Sequence, residues 1–377
     1  MNFQFATANR IIFGVDSILQ LGEWVAGKDI LLVTGSNPQR HQTVFDQLPD
    51  CHTYSVSQEP TVEVIDAGVE QARSHNCKMI IAVGGGSVID AGKAIAAITT
   101  NPGGLLDYLE VVGKGNPLSQ DPLPMIAIPT TAGTGAEVTK NAVIAVKEKN
   151  VKVSLRDNRM LPSVALLDPR LTLSVPPSVT ATTGLDALTQ VIEPYVSRFA
   201  NPLTDALCQD GIKRGANALH TAFTEPHNLT ARTEMMYVSL LGGLALANAK
   251  LGAVHGFAGV LGGVTGAAHG AICGCLLPHV TQANIHALQA ADDVATLAKY
   301  HSIAQWLVGN ANATQQDLIE WLFEQTTRLN IPTLGEMGLT TADIPAVVAQ
   351  SQQSSSMKGN PITLSPQALA DILHAAI

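Results

Sequence analysis

The sequence has few charged and aromatic residues, and it has no run of basic side chains. Charged residues make up 14% of the 377 positions and aromatic residues 4%, whereas hydrophobic residues reach 46%. A disordered chain would be rich in charge and poor in hydrophobic residues, so a large buried core is predicted. The net charge is −9 and lysine and arginine are not clustered, which argues against a nucleic-acid partner.

Cysteine is also scarce, and its spacing carries no recognisable pattern. The five cysteines include no CxxC pair, which favours reduced thiols in a cytoplasmic protein. The N-terminal stretch "MNFQFATANRIIFG" has no basic segment followed by an apolar one, so no signal peptide is predicted.

A long internal segment lacks charge altogether. Residues 251–291 contain no Asp, Glu, Lys or Arg, but they carry repeated glycines, three histidines before Gln282 and Pro278. A lipid-facing helix would be richer in Leu, Ile and Phe. We therefore expect buried helices packed around something polar, and no membrane partner.

The first part of the chain alternates strand-like and helix-like segments. Strands are predicted at "RIIFG", "DILLVTG", "CHTYSVS", "MIIAVGGG", "LPMIAIPTT" and "SVALLDP", of which "DILLVTG" and "MIIAVGGG" are expected to be buried. Helices are predicted at "EVIDAGVEQARSH" and "SVIDAGKAIAAITT". Such alternation is typical of a parallel sheet with helices on both faces. The predicted fold class is therefore α/β in this part, with a Rossmann-like domain over residues 1–175.

After about residue 175 the strand-like runs stop and segments with a period of 3.6 residues take over. The Pro-, Ser- and Thr-rich stretch "DPRLTLSVPPSVTATTG" is typical of a boundary between domains. We predict an all-α domain over residues 176–377.

A glycine-rich turn joins a predicted strand to a predicted helix at "MIIAVGGGSVIDAGK". Gly84, Gly85 and Gly86 would let the backbone approach a ligand, and Ser87 opens a helix whose free N–H groups suit a pyrophosphate. The GxGxxG fingerprint is absent, and a tight turn with no ligand is the alternative.

A second hydroxyl-rich loop, "IPTTAGTGAEVT", follows another strand. Thr130, Thr131 and Thr134 are candidates for hydrogen bonds to a ribose or phosphate. The alternative is a helix that begins near Thr134, with Glu137 as its capping partner.

Four polar residues in the helical half are candidate metal ligands. Asp186 and Gln190 are four residues apart and share one face of a helix, while His255 and His269 flank a glycine-rich stretch. Zn²⁺ and Fe²⁺ both accept imidazole and carboxylate ligands, but an amide oxygen is a weak donor to either ion. The alternatives are a metal site that has lost one ligand, and an amphipathic helix with two buried core histidines.

Five motifs in order resemble those of the iron-containing (group III) alcohol dehydrogenase family. "GGGSVIDAGK" resembles GGGSxxDxxK, "PTTAGTGAEVT" resembles PTTAGTGSEVT, and "GLDALTQVIEPY" resembles GxDALTHAIExY. "GAVHGFAGVLGG" resembles GxxHAxAHxLGG, "HGAICGCLLPHV" resembles HGxxNAxLLPHV, and "SMKGNP" matches a C-terminal signature. The similarity runs from about Arg10 to the C-terminus.

The resemblance implies hydride transfer between NAD or NADP and an alcohol or aldehyde, with Fe²⁺ or possibly Zn²⁺. It also implies a dehydroquinate synthase-like architecture with the active site between the two domains, and a homodimer. The implied metal ligands are Asp186, Gln190, His255 and His269, of which His255, His269 and Gln190 would also act in catalysis. The implied cofactor-binding positions are Gly35, Ser36, Gly84, Gly85, Gly86, Ser87, Asp90, Thr130, Thr131, Thr134 and Lys152.

Three positions depart from the family pattern. Gln190 stands where the family has a ligand histidine, Gly259 where it has a second histidine, and Cys273 where it has asparagine. We expect weaker or altered metal binding, with Gln190 as a fourth ligand or as a hydrogen-bond partner of the site. The alternative is a metal-independent reductase of an acidic oxo substrate, similar to the maleylacetate reductases, with Lys358 involved.

The cofactor choice and the reaction class have further alternatives. No acidic residue follows the strand "DILLVT", and Gly35, Ser36 and nearby Arg40 suit a 2′-phosphate, so NADP is favoured over NAD. A dehydroquinate-synthase-like lyase would need more basic residues near the metal than residues 251–291 provide. A non-catalytic dinucleotide-binding protein is the third class considered.

Overall fold

The computed structural model describes residues 2–48, 50–57, 59–149 and 151–377. Contacts between α-carbons divide these residues into two compact units. One unit contains Phe5–Thr131 and Gly135–Val175, and the other contains Pro176–Ile377 together with Ala132–Thr134 and the N-terminal residues up to Gln4.

The α/β unit contains eight described strands and four described α-helices. The strands are β1 (Ile11–Phe13), β2 (Ile30–Thr34), β3 (His52–Ser55), β4 (Met79–Gly84), β5 (Met125–Pro129), β6 (Asn141–Val146), β7 (Val151–Arg156) and β8 (Val164–Leu167). The helices are α1 (Gly22–Val25), α2 (Gln42–Phe45), α3 (Val62–Ser74) and α4 (Gly86–Thr100).

Six of these strands form one parallel sheet in the order β1-β8-β5-β4-β2-β3. Successive side chains of β2 enter two different cores: Leu31 and Val33 pack with α3 and α4, while Ile30 and Leu32 pack with α1 and α2. Because both faces of the sheet are covered, its central strands are apolar throughout and do not alternate. The predicted Rossmann-like fold is confirmed.

The sheet order creates a switch point between β2 and β4. From β2 the chain continues outward to β3, and from β4 it continues the other way to β5. In open parallel sheets, ligands bind where the connections diverge, at the carboxyl ends of the strands. Gly35 follows β2 at this point and Gly85 follows β4, so the fold brings two predicted cofactor loops together.

A hairpin that the sequence analysis did not predict follows the threonine-rich loop. Strands β6 and β7 pair antiparallel in register from Asn141↔Arg156 to Val146↔Val151 and form a separate two-stranded sheet. Between the two strands, residue 150 lies outside the described residues.

The alternative prediction of a helix beginning near Thr134 is wrong. The loop contains a single 3₁₀ turn, Ala136–Val138, preceded by Gly135 with φ of 59°. This left-handed residue cannot continue a right-handed helix. Glu137 is buried, and no side-chain cap is formed at this turn.

The helical unit contains nine described α-helices. They are α5 (Pro177–Val196), α6 (Pro202–Thr224), α7 (Leu229–Ala249), α8 (Ala253–Thr265), α9 (His269–Ala290), α10 (Val294–Val308), α11 (Gln315–Arg328), α12 (Ile344–Ser351) and α13 (Pro366–Ala376). Helix α5 is the central one: it packs against α6, α7 and α9, and most of its side chains are buried. The predicted all-α character of this part is confirmed.

Two of these helices together have the length and composition that a bent membrane span requires. These are α7 and α8, which meet at an angle of 100°. In the part of the chain that the structure describes, no helix taken singly is long and apolar enough to cross a bilayer.

Candidate active site

Three helices of the helical unit bring the predicted metal ligands together. Asp186 lies in the middle of α5, His255 lies in the first turn of α8, and His269 is the first residue of α9. Asp186 and His255 are buried, whereas the His269 side chain is 37% exposed. The open side of the cluster is therefore the side of His269.

The distances within this cluster suit one shared cation. Asp186 Oδ1 lies 3.2 Å from His255 Nε2 and 3.9 Å from His269 Nε2. The Cys273 sulfur belongs to the same group, since one ligand atom from each of the four residues lies within 4.8 Å of all the others.

Gln190 lies one turn beyond Asp186 on α5, as predicted from the spacing. A hydrogen bond from the Gln190 side chain helps to lower the pKa of Asp186. The Gln190 Oε1 atom is buried and has no hydrogen-bond partner among the described residues. An unpaired buried carbonyl oxygen costs about 1–3 kcal/mol, which a cation or a water molecule would offset.

The charged and polar groups of the cluster favour a positive charge at its centre. Burial works against ionisation of Asp186, but hydrogen bonding to His255 and the positive charges of His269 and His255 outweigh it and bring the pKa of Asp186 to about 2. Burial also works against protonation of both imidazoles. The Cys273 sulfur and the Asp186 carboxylate outweigh it, so that the pKa of His255 is raised well above its usual value and that of His269 is also raised. A bound cation would supply the charge that these protons supply in its absence.

Glu193, which the sequence analysis missed, fixes the orientation of His255. Its Oε2 lies 2.7 Å from His255 Nδ1, and its Oε1 accepts a 2.7 Å hydrogen bond from the Val254 N–H. With Nδ1–H donating to Glu193, His255 Nε2 faces Asp186 and is available as a ligand. The available signal was the spacing of Asp186, Gln190 and Glu193, at i, i+4 and i+7 on one helix face.

A second buried side chain accepts a hydrogen bond from a backbone N–H at the start of α8. Asn360, from the "SMKGNP" motif, accepts a 3.1 Å hydrogen bond from the Ala253 N–H and is itself hydrogen-bonded to Asn284. A Cβ atom on Gly252 would lie 2.7 Å from Glu193 Oε1 and 3.0 Å from Asn360 Oδ1. Any larger residue would have to displace these two hydrogen-bonded oxygens, so the close approach of both side chains favours glycine at this position.

The predicted pyrophosphate loop lies at the switch point of the α/β unit. Gly85 caps α4 through its backbone alone, and Gly85, Gly86 and Ser87 are half-buried. The first turn of α4 contains no acidic residue, so its free N–H groups and positive dipole end favour an anion. A Cβ atom on Gly84 would lie 2.6 Å from the Val88 Cβ, which explains the need for glycine at this close approach.

Two other predicted cofactor residues lie beside this loop. The Thr130 N–H donates a 3.0 Å hydrogen bond to the Gly84 carbonyl, and the Thr131 hydroxyl oxygen would be 3.4 Å from a Cβ placed on Gly85. At the end of β2, the Gly35 carbonyl accepts hydrogen bonds from the Thr34 and Ser55 hydroxyls, and Ser36 is exposed.

Two of the remaining predicted cofactor residues, Asp90 and Lys152, form hydrogen bonds or ion pairs with other protein groups. Asp90 accepts a 3.0 Å hydrogen bond from the Val143 N–H and pairs with the buried Lys93 at 3.3 Å. Lys152 lies on β7 and pairs with Glu59 at 2.7 Å. Thr134 is grouped with the helical unit. The structure thus shows a structural contact for Asp90 and for Lys152, and their cofactor roles remain predictions.

Two further positions singled out in the sequence, Gly259 and Lys358, are exposed. A Cβ added to Gly259, which lies on α8, would meet nothing within 4 Å. A glycine-rich turn at a sheet switch point and a largely buried Asp–His–His cluster are together the features expected of a dehydrogenase with a dinucleotide cofactor and a metal ion.

Comparison with known families identifies the family to which the chain belongs. A family model described as iron-containing alcohol dehydrogenase matches residues 8–169, and one described as the C-terminal part of the Fe-containing alcohol dehydrogenase family matches residues 180–377. The chain belongs to the iron-containing alcohol dehydrogenase family and is an oxidoreductase.

Individual relatives agree with this family. The chain is 35% identical to alcohol dehydrogenase 4 of Saccharomyces cerevisiae over 318 residues, which cover 84% of this chain and 80% of the relative. A crystal structure of 1,3-propanediol oxidoreductase superposes with a TM-score of 0.91 at 31% identity and covers 100% of both chains. Sulfoacetaldehyde reductase from Bifidobacterium kashiwanohense, solved in complex with NAD⁺, has a TM-score of 0.88 at 28% identity and covers 100% of this chain and 99% of that one.

Proposed function

We propose that this protein interconverts an alcohol and an aldehyde or ketone by hydride transfer with NAD(H) or NADP(H), using one divalent metal ion. The observation that carries the proposal is the cluster of Asp186 and His255, which are buried, with the partly exposed His269, while Glu193 accepts a hydrogen bond from His255 Nδ1. The substrate class is small alcohols and aldehydes, as the names of the relatives suggest.

The residues present fit a metal ion. Asp186 provides a carboxylate oxygen, His255 and His269 each provide an Nε2, and the unpaired Gln190 Oε1 is a further oxygen donor. Such a set of N and O donors suits Zn²⁺ and Fe²⁺, and we propose one of these two as the resident ion. When bound, the metal supplies a Lewis acid that polarises the substrate oxygen.

The protein's own groups prepare this site. Glu193 Oε2 keeps the proton of His255 on Nδ1, so that Nε2 is turned toward Asp186. The low pKa of Asp186 keeps its carboxylate ionised at neutral pH. Gly259 cannot relay a proton, so we propose that the proton which accompanies hydride transfer is exchanged with water on the exposed side of His269.

The cofactor site is proposed at the switch point of the parallel sheet. The N–H groups at the start of α4 would hold the pyrophosphate, and Thr130 and Thr131 are the candidate hydroxyls beside it. The NAD⁺ complex of the related sulfoacetaldehyde reductase supports a nicotinamide cofactor. Because Gly35 and Ser36 follow β2 and no acidic residue does, we propose that NADPH is accepted as well as NADH.

We also propose that the protein is a cytoplasmic homodimer. All five cysteines are unpaired, which supports a reducing compartment. The dimer rests on the family resemblance, and light scattering of the purified protein during size-exclusion chromatography tests it. A monomer at micromolar concentration would contradict this part of the proposal.

A second candidate function is favoured by one feature of the same cluster. Gln190 is uncharged and stands where the family pattern has a ligand histidine, and His269 is partly exposed, so that its imidazole could donate a hydrogen bond to a substrate carboxylate. That arrangement suits a metal-independent reductase of an acidic oxo substrate. We place it second because the four-residue cluster also has donor spacings that suit a metal ion.

The test combines metal analysis with cofactor oxidation. Purified protein is stripped with a chelator, reloaded with Fe²⁺ or Zn²⁺, and assayed for NADH and NADPH oxidation against short-chain, hydroxylated, sulfonated and carboxylated aldehydes or ketones. We expect about one metal per chain and turnover that depends on it.

A His255→Gln variant should lose metal-dependent turnover. The control is His301→Gln on α10, which should retain it, because the His301 side chain is hydrogen-bonded to Gln305 and lies outside the cluster. Turnover of a carboxylated substrate that the chelator does not affect would favour the second function. Unchanged turnover in His255→Gln would contradict the site assignment itself.

A further inference from the structure

Cys273 belongs to the candidate metal cluster, although the family pattern has asparagine at this position. It lies four residues after His269 on α9, so that both side chains share one helix face. Its sulfur lies 3.6 Å from His269 Nε2 and 3.9 Å from His255 Nε2. The residue is completely buried.

The spacing of these atoms matches the spacing of ligands around one ion. With sulfur about 2.3 Å and nitrogen about 2.0 Å from a tetrahedral zinc ion, the two donors lie roughly 3.5 Å apart. The Cys273 sulfur is close to this separation from both histidine nitrogens, and Asp186 Oδ1 lies 3.2 Å from His255 Nε2. No other cysteine of the described chain belongs to such a group.

The other buried cysteine of the same helix has a different environment. Cys275 points toward the Ala376 carbonyl, with 3.8 Å between sulfur and oxygen. Burial raises the pKa of its thiol to about 11, as expected of a sulfur packed in a core. Cys275 therefore serves as a matched control for Cys273.

Charge also favours a sulfur ligand. Gln190 places an amide oxygen, a weak donor to zinc, where the family pattern has an imidazole ligand. Asp186 is the only anionic side chain among the other candidate ligands, because Glu193 lies behind His255 and not at the ion. A Cys273 thiolate would add a second anionic ligand and would supply the soft donor that zinc accepts.

We propose that Cys273 is a metal ligand, so that Asp186, His255, His269 and Cys273 form the metal site and select Zn²⁺ over Fe²⁺. This inference rests on the metal-dependent function proposed above. Gln190 then keeps its hydrogen bond to Asp186 and is not needed as a ligand.

The test is cobalt substitution of the full-length protein, read by absorption spectroscopy. A thiolate bound to Co²⁺ gives a sulfur-to-metal charge-transfer band in the near ultraviolet, which oxygen and nitrogen ligands do not give. We expect this band in the wild-type protein and in Cys275→Ser, and we expect its loss in Cys273→Ser and Cys273→Asn. Chelator competition should show zinc bound at least ~10-fold more weakly by Cys273→Ser, and Fe²⁺ affected less.

The outcomes separate this inference from the proposed function. Cobalt bound without the charge-transfer band, or zinc bound equally well by Cys273→Ser, would overturn the ligand role and leave the function standing. The band without turnover of any alcohol or aldehyde would support the ligand role and contradict the function. If wild-type protein binds no cobalt, both the metal-dependent mechanism and the ligand role are wrong. The wild-type spectrum decides the question even if the serine variant fails to fold.

Discussion

Glu193 should control how tightly the site binds its metal, although it is not a ligand. Its two oxygens accept hydrogen bonds from His255 Nδ1 and the Val254 N–H, each at 2.7 Å, and the side chain is buried. In Glu193→Gln one oxygen becomes an NH₂ group that faces one of these two donors. The substitution keeps the shape of the side chain but removes its charge and one acceptor.

The expected magnitude follows from these two contacts. Hydrogen bonds to a charged group contribute about 1.5–3 kcal/mol and neutral ones about 0.5–1.5 kcal/mol, so roughly 1–2 kcal/mol is lost at His255. The imidazole can also exchange tautomers and place its proton on Nε2, which then cannot ligate. We expect metal affinity to fall about 10- to 100-fold, or about 1.4–2.7 kcal/mol.

The measurement is metal affinity by competition with a chromogenic chelator, with unfolding temperature recorded with and without metal. Glu234→Gln is the control, because Glu234 pairs with Arg214 in the same unit and contacts none of the cluster. We expect the control to bind metal like the wild type. A Glu193→Gln protein whose metal affinity stays within about twofold of wild type would refute the argument that Glu193 orients His255.

Three further predictions concern other parts of the molecule. Gly252→Ala should lower stability by about 1–3 kcal/mol, since its Cβ would lie 2.7 Å from Glu193 Oε1. Gly259→Ala, in the middle of α8 with nothing within 4 Å, should raise stability by about 0.5–1 kcal/mol in denaturant unfolding; equal losses in the two variants would contradict the packing argument. Ser36→Asp should lower kcat/KM for NADPH at least ~10-fold more than for NADH, because a carboxylate at the end of β2 repels a 2′-phosphate; an unchanged ratio would place the ribose elsewhere. Burial raises the pKa of Glu137 from 4.5 to about 7. Between these pH values Glu137 is protonated in the folded protein and ionised in the unfolded chain. Its contribution to the stability of the wild type should therefore fall as the pH rises from 4.5 to about 7, and level off above that. Glu137→Gln should remove a decline of about 3 kcal/mol from the pH profile of unfolding, and parallel profiles for the two proteins would show that the pKa of Glu137 is not raised on folding.

The parts of the fold with strong local signals were predictable. Apolar runs such as "DILLVTG" become central strands covered on both faces, because a strand buried on both sides needs no polar alternation. The hairpin β6–β7 was not predicted, although "VKVSLR" alternates apolar and polar residues. "NAVIAV" is almost uniformly apolar, so its alternation of buried and less buried positions appears only once β6 pairs with β7.

The candidate site was predicted in part, and the missing part is informative. Asp186, Gln190, His255 and His269 were candidate ligands from residue type and spacing, and ordered motifs that resemble one family supported the same four residues. Helix spacing could also have predicted Glu193 and Cys273 as members of the site, because Glu193 is at i+7 from Asp186 and Cys273 is at i+4 from His269. What the spacing could not show is that α5, α8 and α9 meet, so that these side chains turn toward one point.

The sequence by itself determined the two architectures, the glycine-rich turn, and the residue types available to bind a metal. Local composition and periodicity suffice for these, because strands, helices and tight turns are set by neighbours in the chain. Only the tertiary structure decided which polar groups share one buried volume, since residues 69 apart meet at 3.2 Å only after the helices pack. There Glu193 orients His255, the Gln190 oxygen is left unpaired, and the Cys273 sulfur lies beside two imidazoles.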